Sequence, residues 1–144
     1  MKFILLLNLA STLFMTGVIW FVQVVHYPLF SRVGTETFAI YESMHATLTT
    51  LVVFPAMMLE LLSAGLLLLN HKEDWRLWAG LFLLLVIWIS TMFVQVPKHS
   101  ELSTGFNAAV HASLVATNWI RTVAWSVRSL LMLWVVAEMI KDNG

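Results

Sequence analysis

Four long apolar stretches dominate this sequence and limit what the chain can fold into. Each reaches the roughly 20 residues that a helix needs to cross about 30 Å of hydrocarbon. They cover residues 3–25, 46–69, 77–96 and 114–137. The connections between them are too short to build a soluble domain. The pattern therefore predicts an all-α, four-helix transmembrane bundle, with residues 1–144 forming a single membrane domain.

The composition agrees with a membrane environment and excludes several functions. The chain is 60% hydrophobic and only 11% charged, so the lipid bilayer is its expected partner. Its formal net charge of zero argues against binding nucleic acid. Because the sequence contains no cysteine, disulfide exchange and thiolate metal sites are excluded.

The distribution of lysine and arginine predicts the orientation of the chain. Cytoplasmic loops are enriched in these residues, and more of them lie on the side of both termini than on the opposite side. The first group is Lys2, Lys72, Arg76 and Lys141, against Arg32 and Lys98. We therefore expect a protein of the cytoplasmic (inner) membrane with both termini in the cytoplasm.

An internal duplication is visible in the spacing of two short strings. FVQV at residues 21–24 recurs at residues 93–96, and MHATL at residues 44–48 is echoed by VHASL at residues 110–114. The repeat halves are then about 1–72 and 73–144. Each half is a helical hairpin, and two spans return the chain to its starting side. The duplication therefore predicts parallel repeats related by an axis along the membrane normal.

A histidine accompanies each repeated string, and this set is the main candidate site. One histidine of each hairpin follows the outgoing helix and the other begins the returning helix, so all four should meet at the outer membrane face. The predicted metal ligands are His26, His45, His99 and His111. The fifth histidine, His71, lies in the opposite loop and is interpreted as a surface residue.

Neighbouring polar residues extend the predicted metal site. Glu36, Glu42 and Glu101 lie in the same loops and offer carboxylate ligands, while Gln23 and Gln95 lie about one turn beneath His26 and His99. An amide at that position is expected to orient the ligand ring. Imidazole and carboxylate ligands suit copper, iron or zinc. Haem is less favoured, because these histidines lie at helix ends and not inside the spans.

Two other roles for the histidines stay open. Histidine is common at a membrane interface, where its apolar body meets lipid and its polar edge forms hydrogen bonds. It also titrates near neutral pH, which suits a pH sensor or a proton carrier.

Polar residues inside the spans predict a second feature, an intramembrane network. Glu60 and Arg128 lie at matching depth, and a buried charge in a bilayer is costly unless it is paired, so we expect these two to pair. Asn8 is expected to join them. Asn118, Arg121, Trp125 and Arg128 form a stripe on one helix face that should point into the bundle. The alternative is that one or both arginines snorkel to the interface or neutralise a partner helix.

Three strings resemble those of a family of small bacterial four-span membrane proteins without an established activity. They are VVHYPLF at residues 24–30, VQVPKH at residues 94–99 and NWIRTVAW at residues 118–125. This resemblance implies the four-span fold and no chemistry. The chain is more weakly similar to anthrone-oxygenase-like membrane proteins, which implies an oxidative role.

These observations lead to one leading hypothesis and two alternatives. The first is a metal-binding membrane protein, acting as a metal-dependent oxidoreductase on a lipophilic small molecule that enters from the bilayer. The second is a small transporter or proton-linked carrier whose path is lined by Glu60, Arg121 and Arg128. The third is a structural subunit of a membrane complex.

Overall fold

The computed structural model describes residues 2–141 and contains only helices and short turns in that range. Four helical segments are long and apolar enough to cross a membrane: Lys2–Arg32, Phe38–Asn70, Trp75–Leu102 and Ala108–Lys141. We call them the first to fourth spans. The predicted all-α four-helix bundle is therefore confirmed.

The first span consists of α1 (Lys2–Phe21), a π-helical turn (Val22–His26), α2 (Tyr27–Leu29) and a 3-10 turn (Phe30–Arg32). The second span is the single helix α3 (Phe38–Asn70). The third consists of α4 (Trp75–Ser90), a second π-helical turn (Thr91–Gln95) and α5 (Val96–Leu102). The fourth span is α6 (Ala108–Lys141).

The spans extend beyond the apolar stretches, mainly at the end of the bundle that carries the histidines. His26 and His45, which the sequence placed at loop boundaries, therefore lie within helical segments. Polar residues near a membrane surface keep their backbone hydrogen bonds by remaining helical. Hydrophobicity marks only the part of a helix that requires lipid, so it underestimates helix length.

Local signals in the sequence explain where two of the helices begin. The Asp74 carboxylate accepts a hydrogen bond from the backbone N–H of Arg76 at 2.9 Å and caps α4. Hydrogen bonds from the Arg76 side chain hold the pKa of Asp74 below its usual value. Asn107 caps α6 in the same way through the backbone N–H of Ala109 at 3.0 Å. The preceding turn contains Gly105 at φ +148°, a conformation that favours glycine.

The two π-helical turns have a common cause in the sequence. Pro28 and Pro97 follow them closely, and each proline has its i−4 residue, Val24 or Phe93, inside the turn. A proline ring clashes with the carbonyl of residue i−4 in a regular α-helix. Widening the turn relieves the clash. One such turn in the first span and one in the third agree with the internal duplication, which itself stays a prediction.

The helices pack in the order α1, α3, α4, α6 around the bundle. α1 packs extensively against both α3 and α6, and α4 packs against α6. The seam between α3 and α4 is the least closely packed of the four. This seam leaves room for a cavity near the histidines.

A buried ion pair lies in the half of the bundle remote from the histidines. Arg128 Nε donates to Glu60 Oε1 at 2.7 Å, and neither side chain has more than 1% of its area exposed. Arg128 also donates to Asn8 Oδ1 at 3.0 Å and to the carbonyl of Gly80. The predicted pair and the participation of Asn8 are confirmed.

Glu60 has partners on both of its oxygens. Thr12 Oγ1 donates to Oε1 at 2.8 Å, and the indole N–H of Trp125 donates to Oε2 at 3.1 Å. Arg128 is 1% exposed and Arg121 8% exposed, so both lie inside the bundle. The expectation that the arginines snorkel to the interface is therefore wrong, whereas Arg128 does neutralise a carboxylate on a partner helix, α3.

Gly80 allows the close approach of Arg128 to α4, because a Cβ at this position would lie 2.8 Å from Arg128 Nη1. Gly80→Ala is expected to destabilise the protein by about 1–3 kcal/mol, since the added Cβ displaces Arg128 Nη1, which donates a buried hydrogen bond to the Gly80 carbonyl. Gly65→Ala is the matched control, because its Cβ would contact nothing within 4 Å. Thermal unfolding in detergent measures the difference. Equal stability of the two variants would contradict this account of Gly80.

Removing one member of the ion pair should lower the stability of the protein more than removing both. Glu60→Gln leaves a buried guanidinium without a carboxylate, and we expect a loss of about 3 kcal/mol or more. The double variant Glu60→Gln, Arg128→Met replaces the charged pair by neutral groups of similar volume, so it should recover part of that loss. A double-mutant cycle of thermal stability tests this coupling. Additive effects would show that the two side chains do not depend on each other.

Candidate metal centre

The four histidines singled out by the sequence surround one buried aromatic ring, that of Phe30. The ring centroid of Phe30 lies 5.2 Å from that of His26, 5.0 Å from that of His45, 6.4 Å from that of His99 and 6.2 Å from that of His111. Phe30 has no exposed area. The histidines therefore meet at one end of the bundle around an apolar centre.

Three side chains are close enough to hold one metal ion. Glu42, His45 and His99 each offer a ligand atom, and these atoms lie within 4.8 Å of one another. Glu42 has no exposed area, and its Oε1 is hydrogen-bonded to His99 Nδ1. Its other oxygen, Oε2, is buried without a hydrogen-bond partner among the described residues.

His26 is joined to this group through His45. The atoms His26 Nε2 and His45 Nδ1 are 2.8 Å apart, and Thr49 Oγ1 lies 3.1 Å from the same His45 nitrogen. One of the two imidazoles must donate and the other accept. His26 is thus positioned to orient His45 or to join it as a further ligand.

His111 does not belong to the group that converges on Glu42. Its Nε2 lies 2.7 Å from the backbone carbonyl of Tyr27, to which it donates, and its ring stacks on Phe30. The hydrogen bond and the ring contact hold the start of α6 against α2 and the following turn. The structure therefore gives His111 a hydrogen-bonding position in place of the predicted ligand position.

Two of the three acidic candidates lie elsewhere. Glu36 and Glu101 are exposed, Glu36 in the turn before α3 and Glu101 on α5. The predicted ligand role of Glu101 is corrected accordingly. Glu42 is different because it lies in the first turns of α3, on the face that packs into the bundle.

The two glutamines are buried, but they contact α6 and not the histidines. Gln23 Nε2 donates to the carbonyl of Val115 at 3.2 Å, and Gln95 Nε2 donates to Thr117 Oγ1 at 3.0 Å. Both lie in π-helical turns, whose i→i+5 bonding shifts the register of side chains. The expectation that each amide orients a histidine one turn away assumed α-helical register and is corrected.

Tyr27 is a site residue that the sequence analysis did not single out. Its hydroxyl lies 2.8 Å from His99 Nε2 and accepts a hydrogen bond from Arg121 Nη2 at 3.3 Å. With His99 Nδ1 donating to Glu42, a chain of hydrogen bonds joins Arg121 to Glu42. The sequence offered one hint of this role, because Tyr27 directly follows His26.

The side chain of Arg121 is held in place by Asn118, a residue one turn earlier on the same helix. Its Nε donates to Asn118 Oδ1 at 2.9 Å, and Asn118 Nδ2 donates to Gln23 Oε1 at 2.8 Å. The stripe predicted on α6 thus points into the bundle: Asn118, Arg121, Trp125 and Arg128 are all buried. Asn118 and Arg121 of this stripe lie at the histidine end of the bundle, and Trp125 and Arg128 contact the carboxylate of Glu60.

A cavity of about 320 Å³ lies beside the cluster. His45, His99, Tyr27 and Arg121 line it together with apolar side chains of the first and second spans. This volume is at the lower end of the range for small-molecule sites.

Comparisons with known proteins return no match for this chain, whether with protein-family models, with curated proteins or with solved structures. The two resemblances noted from the sequence therefore stay predictions. Geometry alone guides the interpretation of this site.

Proposed function

We propose that this chain is a membrane protein that holds a transition-metal ion through Glu42, His45 and His99. The observation that carries the proposal is the buried oxygen Oε2 of Glu42, which has no hydrogen-bond partner among residues 2–141 and belongs to a side chain beside two imidazoles. A buried carboxylate oxygen without a hydrogen bond is unfavourable, because it has lost water and gained nothing in return. A metal ion would supply the missing interaction.

The ligand types fit copper, iron or zinc, all of which bind imidazole and carboxylate. Since both nitrogens of His99 are hydrogen-bonded, one to Glu42 and one to Tyr27, metal binding exchanges one of these bonds for a metal–nitrogen bond. Haem has less support, because Phe30 fills the space between the rings.

The adjacent cavity supports a role in the chemistry of a lipophilic small molecule. Its walls are mainly apolar, and it reaches His45 and His99. With copper or iron at the site, a metal-dependent oxidoreductase is the activity that this arrangement favours. The transporter alternative loses support because Glu60 and Arg128 bind each other and are fully buried, which leaves neither free to line a path.

The metal proposal is tested on the full chain purified in detergent and loaded with zinc, copper or iron. We expect about one equivalent of metal by elemental analysis, and Glu42→Gln, His45→Ala or His99→Ala should each weaken binding by about 100-fold or more. Affinity should fall as the pH is lowered, because protons compete with the metal for imidazole.

His111→Ala and His71→Ala are the matched controls, since both remove a histidine outside the ligand group. Circular dichroism and gel filtration check that each variant folds. Full metal occupancy in all three ligand variants would refute the assignment. Loss of binding in His71→Ala, whose ring lies in the opposite loop, would show that the metal is bound elsewhere.

We also propose that the chain lies in the cytoplasmic membrane with both termini inside, so that the histidine end faces outward. The absence of native cysteine allows a direct test. In bacterial spheroplasts, a membrane-impermeant maleimide should label Glu36→Cys and spare Glu73→Cys, both at exposed positions. The opposite labelling pattern would invert the proposed orientation.

A further inference from the structure

The cavity beside the histidines has an apolar body and an opening at the protein surface. Met15, Ile19, Val53 and Met57 form part of its wall. Exposed residues of α3 and α5, such as Thr50 and Val96, also line it, so it opens between these two helices. A molecule dissolved in the bilayer can reach such an opening without crossing water.

One polar group on the cavity is a cation without an anionic partner. Arg121 is 8% exposed and lines the cavity. Among the described residues its hydrogen bonds go to neutral groups, namely Asn118, Tyr27 and, at 3.4 Å, Thr91. Arg128 in the other half of the bundle has a carboxylate in contact. The guanidinium of Arg121 therefore retains the capacity to donate to a ligand oxygen.

A second polar group on the cavity is an acceptor without a donor. Gln95 is 1% exposed, and its Oε1 has no hydrogen-bond partner in the part of the chain that the structure describes. Its amide nitrogen is already bonded to Thr117. Gln95 and Thr91 end and begin the same π-helical turn, and Thr91 is the residue that Arg121 contacts. Arg121, Thr91 and Gln95 all line the cavity.

We propose that this cavity binds a lipophilic molecule by a neutral hydroxyl head group. A hydroxyl oxygen accepts a hydrogen bond from Arg121, and its proton is donated to Gln95 Oε1. A carboxylate would satisfy Arg121 but has no proton for Gln95, and an ammonium group would be repelled by Arg121. An alkane would leave both groups unpaired. Both aliphatic alcohols and phenols have the required chemistry.

The bound hydroxyl would lie beside His45 and His99, which line the same cavity. Binding needs only the cavity, whereas a role for the molecule as substrate rests on the proposed metal centre. The proposal thus names the chemical class on which that centre would act.

The test compares ligands of similar apolar size with different head groups. 1-Decanol, 4-hexylphenol, decanoic acid and decylamine are titrated into the detergent-purified full chain, metal-free and metal-loaded, with affinities read by native mass spectrometry. At least one of the two hydroxyl compounds should bind about tenfold or more tighter than the acid and the amine in the metal-free protein. The alcohol and phenol arms distinguish the two sources of the hydroxyl.

The second part of the experiment replaces the proposed acceptor, Gln95. Gln95→Leu should weaken hydroxyl binding by about tenfold and leave decanoic acid unchanged, because only the hydroxyl donates to Oε1. Ser100→Ala, at an exposed position on the same cavity, is the matched control and should change neither. Equal affinities for all four compounds, tightest binding of the acid, or no effect of Gln95→Leu would overturn the proposal.

Failure of this inference is distinguishable from failure of the proposed function. Hydroxyl selectivity in a protein that binds no metal would leave the cavity proposal standing and remove the metal centre. Metal binding without hydroxyl selectivity would support the metal centre and rule out the proposed hydroxyl site.

Discussion

The buried contact between Glu60 and Arg128 joins all four spans of the bundle. Arg128 on α6 reaches Glu60 on α3, Asn8 on α1 and the carbonyl of Gly80 on α4. In an apolar environment an ionised side chain is tolerated only when its partners are in place, so these contacts set the relative depth of the four helices. That depth brings the ends of the spans that carry the histidines to one level, and the histidine cluster depends on it.

The two halves of the bundle use similar side chains with different results. In the half remote from the histidines the carboxylate and the guanidinium touch, and both oxygens of Glu60 have partners. At the histidine end Arg121 and Glu42 are separated by Tyr27 and His99. Among the described residues, oxygens without a hydrogen-bond partner remain there on Glu42 and on Gln95, and Gln95 lines a cavity. A network whose polar groups are all hydrogen-bonded stabilises a fold. A network that has polar groups without partners next to a cavity is suited to binding a ligand.

Charge pairing inside the bundle was more predictable from the sequence than the contacts of the histidine site. Matching depth and the cost of a lone intramembrane charge were enough to pair Glu60 with Arg128, because few partners exist at that level. At the histidine end many polar residues share one level, and depth alone does not select among them. Glu42 and Glu101 looked equivalent in the sequence, yet one is buried among the histidines and the other is exposed. Tyr27 entered the site through its position in α2, where it lies between His99 and Arg121.

By itself the sequence determined the number of spans, their order and the burial of the polar stripe on α6, because these follow from the length and periodicity of apolar residues. Only the tertiary structure decided which side chains meet at the histidine end. That choice depends on the rotation of each helix about its axis, which the two proline-associated π-helical turns alter. A change of register by part of a turn redirects a side chain from one neighbour to another. Gln23 and Gln95 therefore face α6, and His111 faces the Tyr27 carbonyl, while Glu42 takes the place beside His99.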